Sequence, residues 1–229
     1  MKKIIIATTV AMALSAAAAH ADSTAVLKLK GVLTNDACTP ELTGGGVVDF
    51  GTKYVSSLSA TSDNQLGYKD ISLTITCSAA TKVAWSITDD SADSMKKMTI
   101  DNATTDGYQV WGASNQFGAG KTADGVNIGA YSVAMEKTVA VDGSTKRVGY
   151  TTSVTNTEFT VVDSGARQSA ISNGSYMYSP ITDTSNEAIS FLNAVFPLRV
   201  ALAVQKTDAL AITDDTPIDG QATITLHYL

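Results

Sequence analysis

Each of the two cysteines in this chain adjoins a stretch that alternates with period two, and that pattern most restricts the fold. Ile71, Leu73, Ile75 and Cys77 alternate with Ser72, Thr74 and Thr76, a half-buried strand that ends on the second cysteine. Ahead of Cys38, in the run from Ser23, Ala25, Leu27, Leu29, Gly31 and Leu33 share one face. The opposite face, with Val26, Lys28, Lys30 and Val32, is mixed. Gly31 interrupts the apolar stripe where a partner surface would approach unusually closely. The last residues alternate again: Ala222, Ile224, Leu226 and Tyr228 against Thr223, Thr225 and His227. No long stretch has helical periodicity, so the chain reads as all-β.

The first 21 residues read as an export leader. Met1-Lys2-Lys3 is a basic start, Ile4 to Ala18 is largely apolar, and Ala19-His20-Ala21 is an A-x-A cleavage site. The mature chain is then expected to begin at Asp22, with no later stretch of the roughly 18 apolar residues a spanning helix needs. Losing Lys2 and Lys3 leaves 14 basic residues against 22 acidic ones, a formal charge of −8. That balance disfavours nucleic acid, which calls for a basic face, and reads as surface solvation.

In an exporting, oxidising compartment a lone cysteine pair reads as one disulfide, here Cys38 with Cys77. Two cysteines with no neighbouring histidine cannot complete a tetrahedral metal shell. Closing a loop of this length should contribute on the order of 3–4 kcal/mol.

Lys82 to Thr88 is expected to pair with the strand before it as a hairpin. Ala130 to Thr138 and Glu158 to Val162 read as further strands, and Asp89 to Asn127 as short strands on long loops. Ala188 to Val204 is the longest apolar stretch of the mature chain. Pro197 interrupts it, so it reads as a helix or loop passing into a core strand. Many short strands, frequent Gly and Asn turns and one disulfide describe an immunoglobulin-type β-sandwich in a single domain.

Candidate chemical sites are poor. His227 is the one histidine of the mature chain, so neither a Ser-His-Asp triad nor a Cys-His pair has its parts. The acidic residues suggest no carboxylate pair, and no enzymatic activity or cofactor is expected. Gly118-Ala119-Gly120-Lys121-Thr122 resembles the tail of a phosphate loop, but Asn115 stands where its first glycine belongs, and a flexible surface turn is expected. Asp89, Asp90 and Asp93, and Asp214, Asp215 and Asp219, match no EF-hand spacing and read as solvated turns, with no metal. Trp85 sits in an apolar strand and is expected in the core, whereas Tyr108 and Trp111 are the better candidates for a sugar platform.

Taken together, the alternating strand with Gly31 before the first cysteine, the Val48-Asp49-Phe50-Gly51 segment before the second, and the penultimate Tyr228 resemble the structural subunits (pilins) of chaperone–usher fimbriae. The runs Ala37 to Pro40, Thr43 to Gly51 and Leu73 to Cys77 and the ending ITLHYL look closest to the GltF-like exported, fimbrial-like proteins. The resemblance covers about half of the mature chain.

It implies an incomplete immunoglobulin-like sandwich over 37–229, lacking its last strand, preceded by a donor-strand extension over 22–36. A periplasmic chaperone would first fill the open groove. At an outer-membrane usher, the extension of the next subunit would replace it, by strand addition. Ala25, Leu27, Leu29, Gly31 and Leu33 would be the donor positions, Cys38 and Cys77 the pilin disulfide, and Ala222, Ile224, Leu226 and Tyr228 the chaperone-contacting last strand. The implied function is a fimbrial subunit supporting adhesion, passing through the periplasm to the cell surface. The competing expectations are an adhesin binding a host glycan or other receptor, and a self-complemented periplasmic monomer.

Overall fold

The alternating run from Ile71 to Cys77 is the middle of a longer strand than its pattern predicts. The computed structural model describes residues 37–229 together with Lys28 and Lys30. The predicted leader and the donor positions Ala25, Leu27, Leu29, Gly31 and Leu33 lie outside the described residues. Asn35–Leu229 is one compact unit. Its strands among the described residues are β1 (Cys38–Leu42), β2 (Asn64–Thr81), β3 (Val83–Asp89), β4 (Phe117–Gly118), β5 (Gly129–Met135), β6 (Thr138–Val141), β7 (Ser144–Thr151), β8 (Thr160–Val161), β9 (Met177–Ile181), β10 (Phe191–Val204) and β11 (Ala222–Tyr228). One α-helical turn, α1 (Thr207–Leu210), and five short 3-10 turns interrupt this all-β architecture among the described residues.

The ladders make one strongly curved sheet that folds over into a nearly closed sandwich. One layer runs β1, β2, β10, with β5 and β6 both on the far edge of β10. The other runs β7, β9, β3, β11. The β6–β7 hairpin joins them through Asp142 and Gly143, both at positive φ, the Asp-Gly chemistry that a tight hairpin turn demands. Between the layers Leu73, Ile75 and Phe196 meet Val83, Trp85 and Tyr178 in one core. Trp85 is fully buried, with ring centres 5.0 Å from Tyr178 and 5.7 Å from Phe196.

Three expectations need correcting. β2 and β3 do not form a hairpin: β2 pairs with β1 and β10, and β3 with β9 and β11. Only Lys82 lies between them, too little for a two-residue turn, so the chain steps from one layer to the other there. The Ala188–Val204 stretch is neither helix nor loop over most of its length but the 14-residue strand β10. Pro197 is tolerated because it falls where the neighbour of β10 changes from β5 to β6. Its carbonyl still accepts from the Glu136 amide on that side. The Gly118–Gly120 stretch is not a flexible surface turn. All three residues are buried, the Gly118 amide donates to the Asp89 carboxylate at 2.8 Å, and a Cβ at Gly118 would strike the Ser91 carbonyl.

Candidate functional site

The two ends of the sheet path, β1 and β11, lie at the same side of the sandwich, and no ladder joins them among the described residues. In an antiparallel pair, residues opposite one another alternately do and do not exchange hydrogen bonds. The Asp90 amide donates to the Gln221 carbonyl and the Leu229 amide to the Lys82 carbonyl, at the two ends of the β3–β11 ladder. Thr223, Thr225 and His227 therefore bond to β3. Ala222, Ile224, Leu226 and Tyr228 turn their backbone N–H and C=O groups toward the open edge. The same alternation holds on β1, where the Ser78 amide donates to the Ala37 carbonyl and leaves Cys38, Pro40 and Leu42 facing out.

The two edges differ. Pro40 has no N–H to offer, and the Cys38 amide is already spent on the Tyr228 hydroxyl at 2.9 Å. That bond reaches from β1 to β11 and closes one end of the opening. β1 is thus blunted as a template, while β11 presents four consecutive outward-facing amide and carbonyl pairs.

Behind the open edge lies apolar surface. Ala222, Ile224 and Leu226 are only half-buried although they point into the core, in contrast to Val83 and Trp85 on the neighbouring strand, which are sealed. A hollow of about 230 Å³ separates Ala222 and Ile224 from Leu42, Val48 and Phe50. Its floor is Ile87, Val133, Leu198 and Val200. It shares Val48, Phe50 and Ile218 with a wider hollow of about 630 Å³ that runs on to Leu210, Ile212 and Pro217. The opposing wall turns sharply after β1 because Gly44, Gly45 and Gly46 all adopt positive φ, a conformation that costs glycine little. Val48 and Phe50 then face the hollow, while the Asp49 carboxylate accepts the Gly51 amide at 2.6 Å.

The result is a groove, closed at Tyr228 and widening toward Ile218, lined by oily side chains and one strand edge that has no partner among the described residues. The disulfide ties its β1 wall down. Cys38 and Cys77 are directly opposed in the β1–β2 register, at a pair without mutual hydrogen bonds, where side chains come closest. In the floor, burial pushes the Tyr131 phenol well above its ordinary range, with the charges of Asp89 and Asp90 adding to the effect. Burial likewise raises Asp89, against the lowering by its bonds from the Gly118 and Ser91 amides.

The structure brings together Cys38, Cys77, Ala222, Ile224, Leu226 and Tyr228, and keeps the other candidates apart from the groove. His227 points to the outer face, 2.8 Å from the Ser86 hydroxyl. Trp111 and Tyr108 are 65% and 57% exposed on a separate loop, and Tyr108 lies over Gly165. Asp93 is tied to Lys121 at 2.7 Å, which lowers its pKa. No cluster of three or more His, Cys, Asp or Glu side chains suited to a metal occurs among the described residues, nor does a helix long and apolar enough to cross a membrane. The sequence reading missed the wide hollow and its residues Leu58, Leu210 and Ile212, which belong to segments with no shared pattern.

Fold and groove define a one-disulfide, all-β sandwich domain with one strand edge unpaired among the described residues. Residues 27–132, which include β1 and the Val48–Phe50 wall, match a family described as a protein of unknown function (DUF1120). The chain is 28% identical over 240 residues to the uncharacterized protein YhcF of Escherichia coli (strain K12), spanning 99% of this chain and 98% of that protein. It is 30% identical over 255 residues to the protein GltF of the same organism, spanning 100% of this chain and 99% of that protein. The chain belongs to the same family as GltF.

Proposed function

We propose that this protein is an exported structural subunit of a chaperone–usher type surface fibre, polymerising by donor-strand exchange and supporting adhesion. On this reading the sandwich is an immunoglobulin-type pilin domain without its last strand. A periplasmic chaperone holds it in transit, and an outer-membrane usher adds it to other subunits. The observation that carries the reading is the pairing of the outward-facing backbone of β11 with the half-buried Ala222, Ile224 and Leu226 along one apolar groove. A strand laid there gains main-chain hydrogen bonds from β11 and buries alternate side chains, the two sources of affinity and specificity in strand addition.

Leu27, Leu29 and Leu33 supply such side chains, worth roughly 1.5–3 kcal/mol each when buried. The run from Ala25 to Leu33 would extend about 30 Å at ~3.3 Å per residue, more than the roughly 23 Å of the seven-residue β11, so it reaches into the wide hollow. The test uses a variant lacking Asp22–Thr34, purified with its periplasmic chaperone and given a synthetic Ser23–Thr34 peptide. A large rise in melting temperature with chaperone release is expected. No response, together with a monomeric full-length chain, refutes assembly in trans. Gly31→Arg should block polymerisation while leaving the monomer's melting temperature unchanged, and normal polymers from that variant would sink the donor role of the segment.

A self-complemented monomer is the second reading, favoured by the short link Thr34-Asn35-Asp36-Ala37 between Leu33 and β1. Asn and Asp suit a tight turn, and a hairpin there would run the segment antiparallel to β1. Oligomeric state in a periplasmic extract separates the two readings.

A further inference from the structure

Resting on the donor-strand reading, we infer that the groove selects its occupant by charge as well as by shape, and that its occupant is the Ser23–Thr34 segment of a second copy of this chain. The rim of the groove is acidic. Asp49, Asp214 and Asp215 line the wide hollow, with Lys53 as the one basic residue among its described lining residues. Glu41 stands beside Leu42 on the exposed face of β1, and exposed Asp219 lies between the lining residues Ile218 and Gly220. None of these five carboxylates is in an ion pair among the described residues. All five are exposed, and three of them line the wide hollow.

The segment has the opposite sign in an otherwise acidic protein. Ser23 to Thr34 contains Lys28 and Lys30 and no acidic residue, in a chain of formal charge −6. The alternation that points Leu27, Leu29 and Gly31 into a groove points Lys28 and Lys30 away from it, to the solvent side. With the segment seated, both ammonium groups lie at the level of the rim, whichever way the strand runs. The apolar face supplies adhesion common to many oily strands, whereas the two lysines distinguish this chain's own extension from neutral or acidic ones.

The experiment measures binding of a labelled Ser23–Thr34 peptide by fluorescence anisotropy to the full-length Gly31→Arg protein, whose own segment is disabled as a competitor. A second peptide carries Lys28→Glu and Lys30→Glu. At 0.1 M NaCl the reversed peptide should bind about tenfold more weakly, the scale of two or three exposed ion pairs. Raising NaCl to 1 M shortens the screening length from roughly 10 Å to roughly 3 Å. The native peptide should then weaken and the reversed peptide tighten. An Asp214→Lys, Asp215→Lys protein should invert the preference between the two. Equal binding of both peptides at both salt concentrations overturns selection by charge while leaving the donor-strand reading in place. Binding of neither peptide overturns both.

Discussion

Removing the Cys38–Cys77 cross-link is the perturbation whose size follows most directly from the structure. The bridge spans 39 residues of sequence. Restricting the unfolded chain by a loop of that length corresponds to about 4 kcal/mol at 25 °C by the chain-entropy relation. Cys77 is also buried beside Leu73 and Ile75, so replacing it with alanine adds a packing loss on the order of 1 kcal/mol. The double variant Cys38→Ala, Cys77→Ala should therefore unfold at lower urea, with stability reduced by about 4–5 kcal/mol. For a chain of this size that corresponds to a fall of roughly 8–20 °C in melting temperature. The urea slope should rise, because the uncross-linked chain exposes more surface when unfolded. Urea titrations followed by circular dichroism and by the buried Trp85 measure both quantities.

The loss should also have a functional consequence. Among the described residues β1 pairs only with β2, is five residues long and has Pro40 at its outward edge, so the disulfide is its main anchor. Peptide binding to the groove should weaken along with global stability. A stability loss below about 1 kcal/mol with an unchanged slope would refute the reasoning, because the loop would then be restricted in the unfolded chain by something other than the bridge.

Two further perturbations test the packing. Burial raises the pKa of both Tyr131 and Tyr178, which keeps them neutral in the fold. The unfolded chain loses these protons first, so the stabilisation is complete below the ordinary phenol pKa near ~10 and declines above it, by about 1.4 kcal/mol per pH unit for each phenol. Urea midpoints that stay constant from pH 9.5 to 11 would contradict this. Arg199 stacks 3.6 Å over the Tyr68 ring, grips both carboxylate oxygens of Asp70 and donates to the Thr104 carbonyl. Arg199→Lys keeps the charge but loses the planar fork, and should cost about 1 kcal/mol in the same titration; no change would show that the stack and fork contribute nothing net.

Several elements could be read before the fold was known because their pattern is local. Ile71–Cys77 turns Leu73, Ile75 and Cys77 into the core, Ala222–Tyr228 alternates half-buried with mostly exposed residues, and period two records that directly. The Ala188–Val204 stretch could not be assigned, because β10 is flanked on both edges and its C-terminal half is buried on both faces. A continuous apolar run of that kind fits helix and strand alike. The supposed β2–β3 hairpin failed because sequence adjacency carries no information about which layer a strand enters.

For the groove the division is sharper. The alternation of Ala222, Ile224, Leu226 and Tyr228 is written in the sequence, as are the Cys38–Cys77 pairing and the opposite charges of the N-terminal segment and the rest of the chain. That the inward face of β11 stays half-buried, that its backbone faces no partner among the described residues, and that Val48, Phe50, Leu210 and Ile212 converge opposite it are settled only in three dimensions. Those residues are far apart in the chain. A strand's pattern shows which face is apolar, but whether that face is covered depends on which distant segments pack against it.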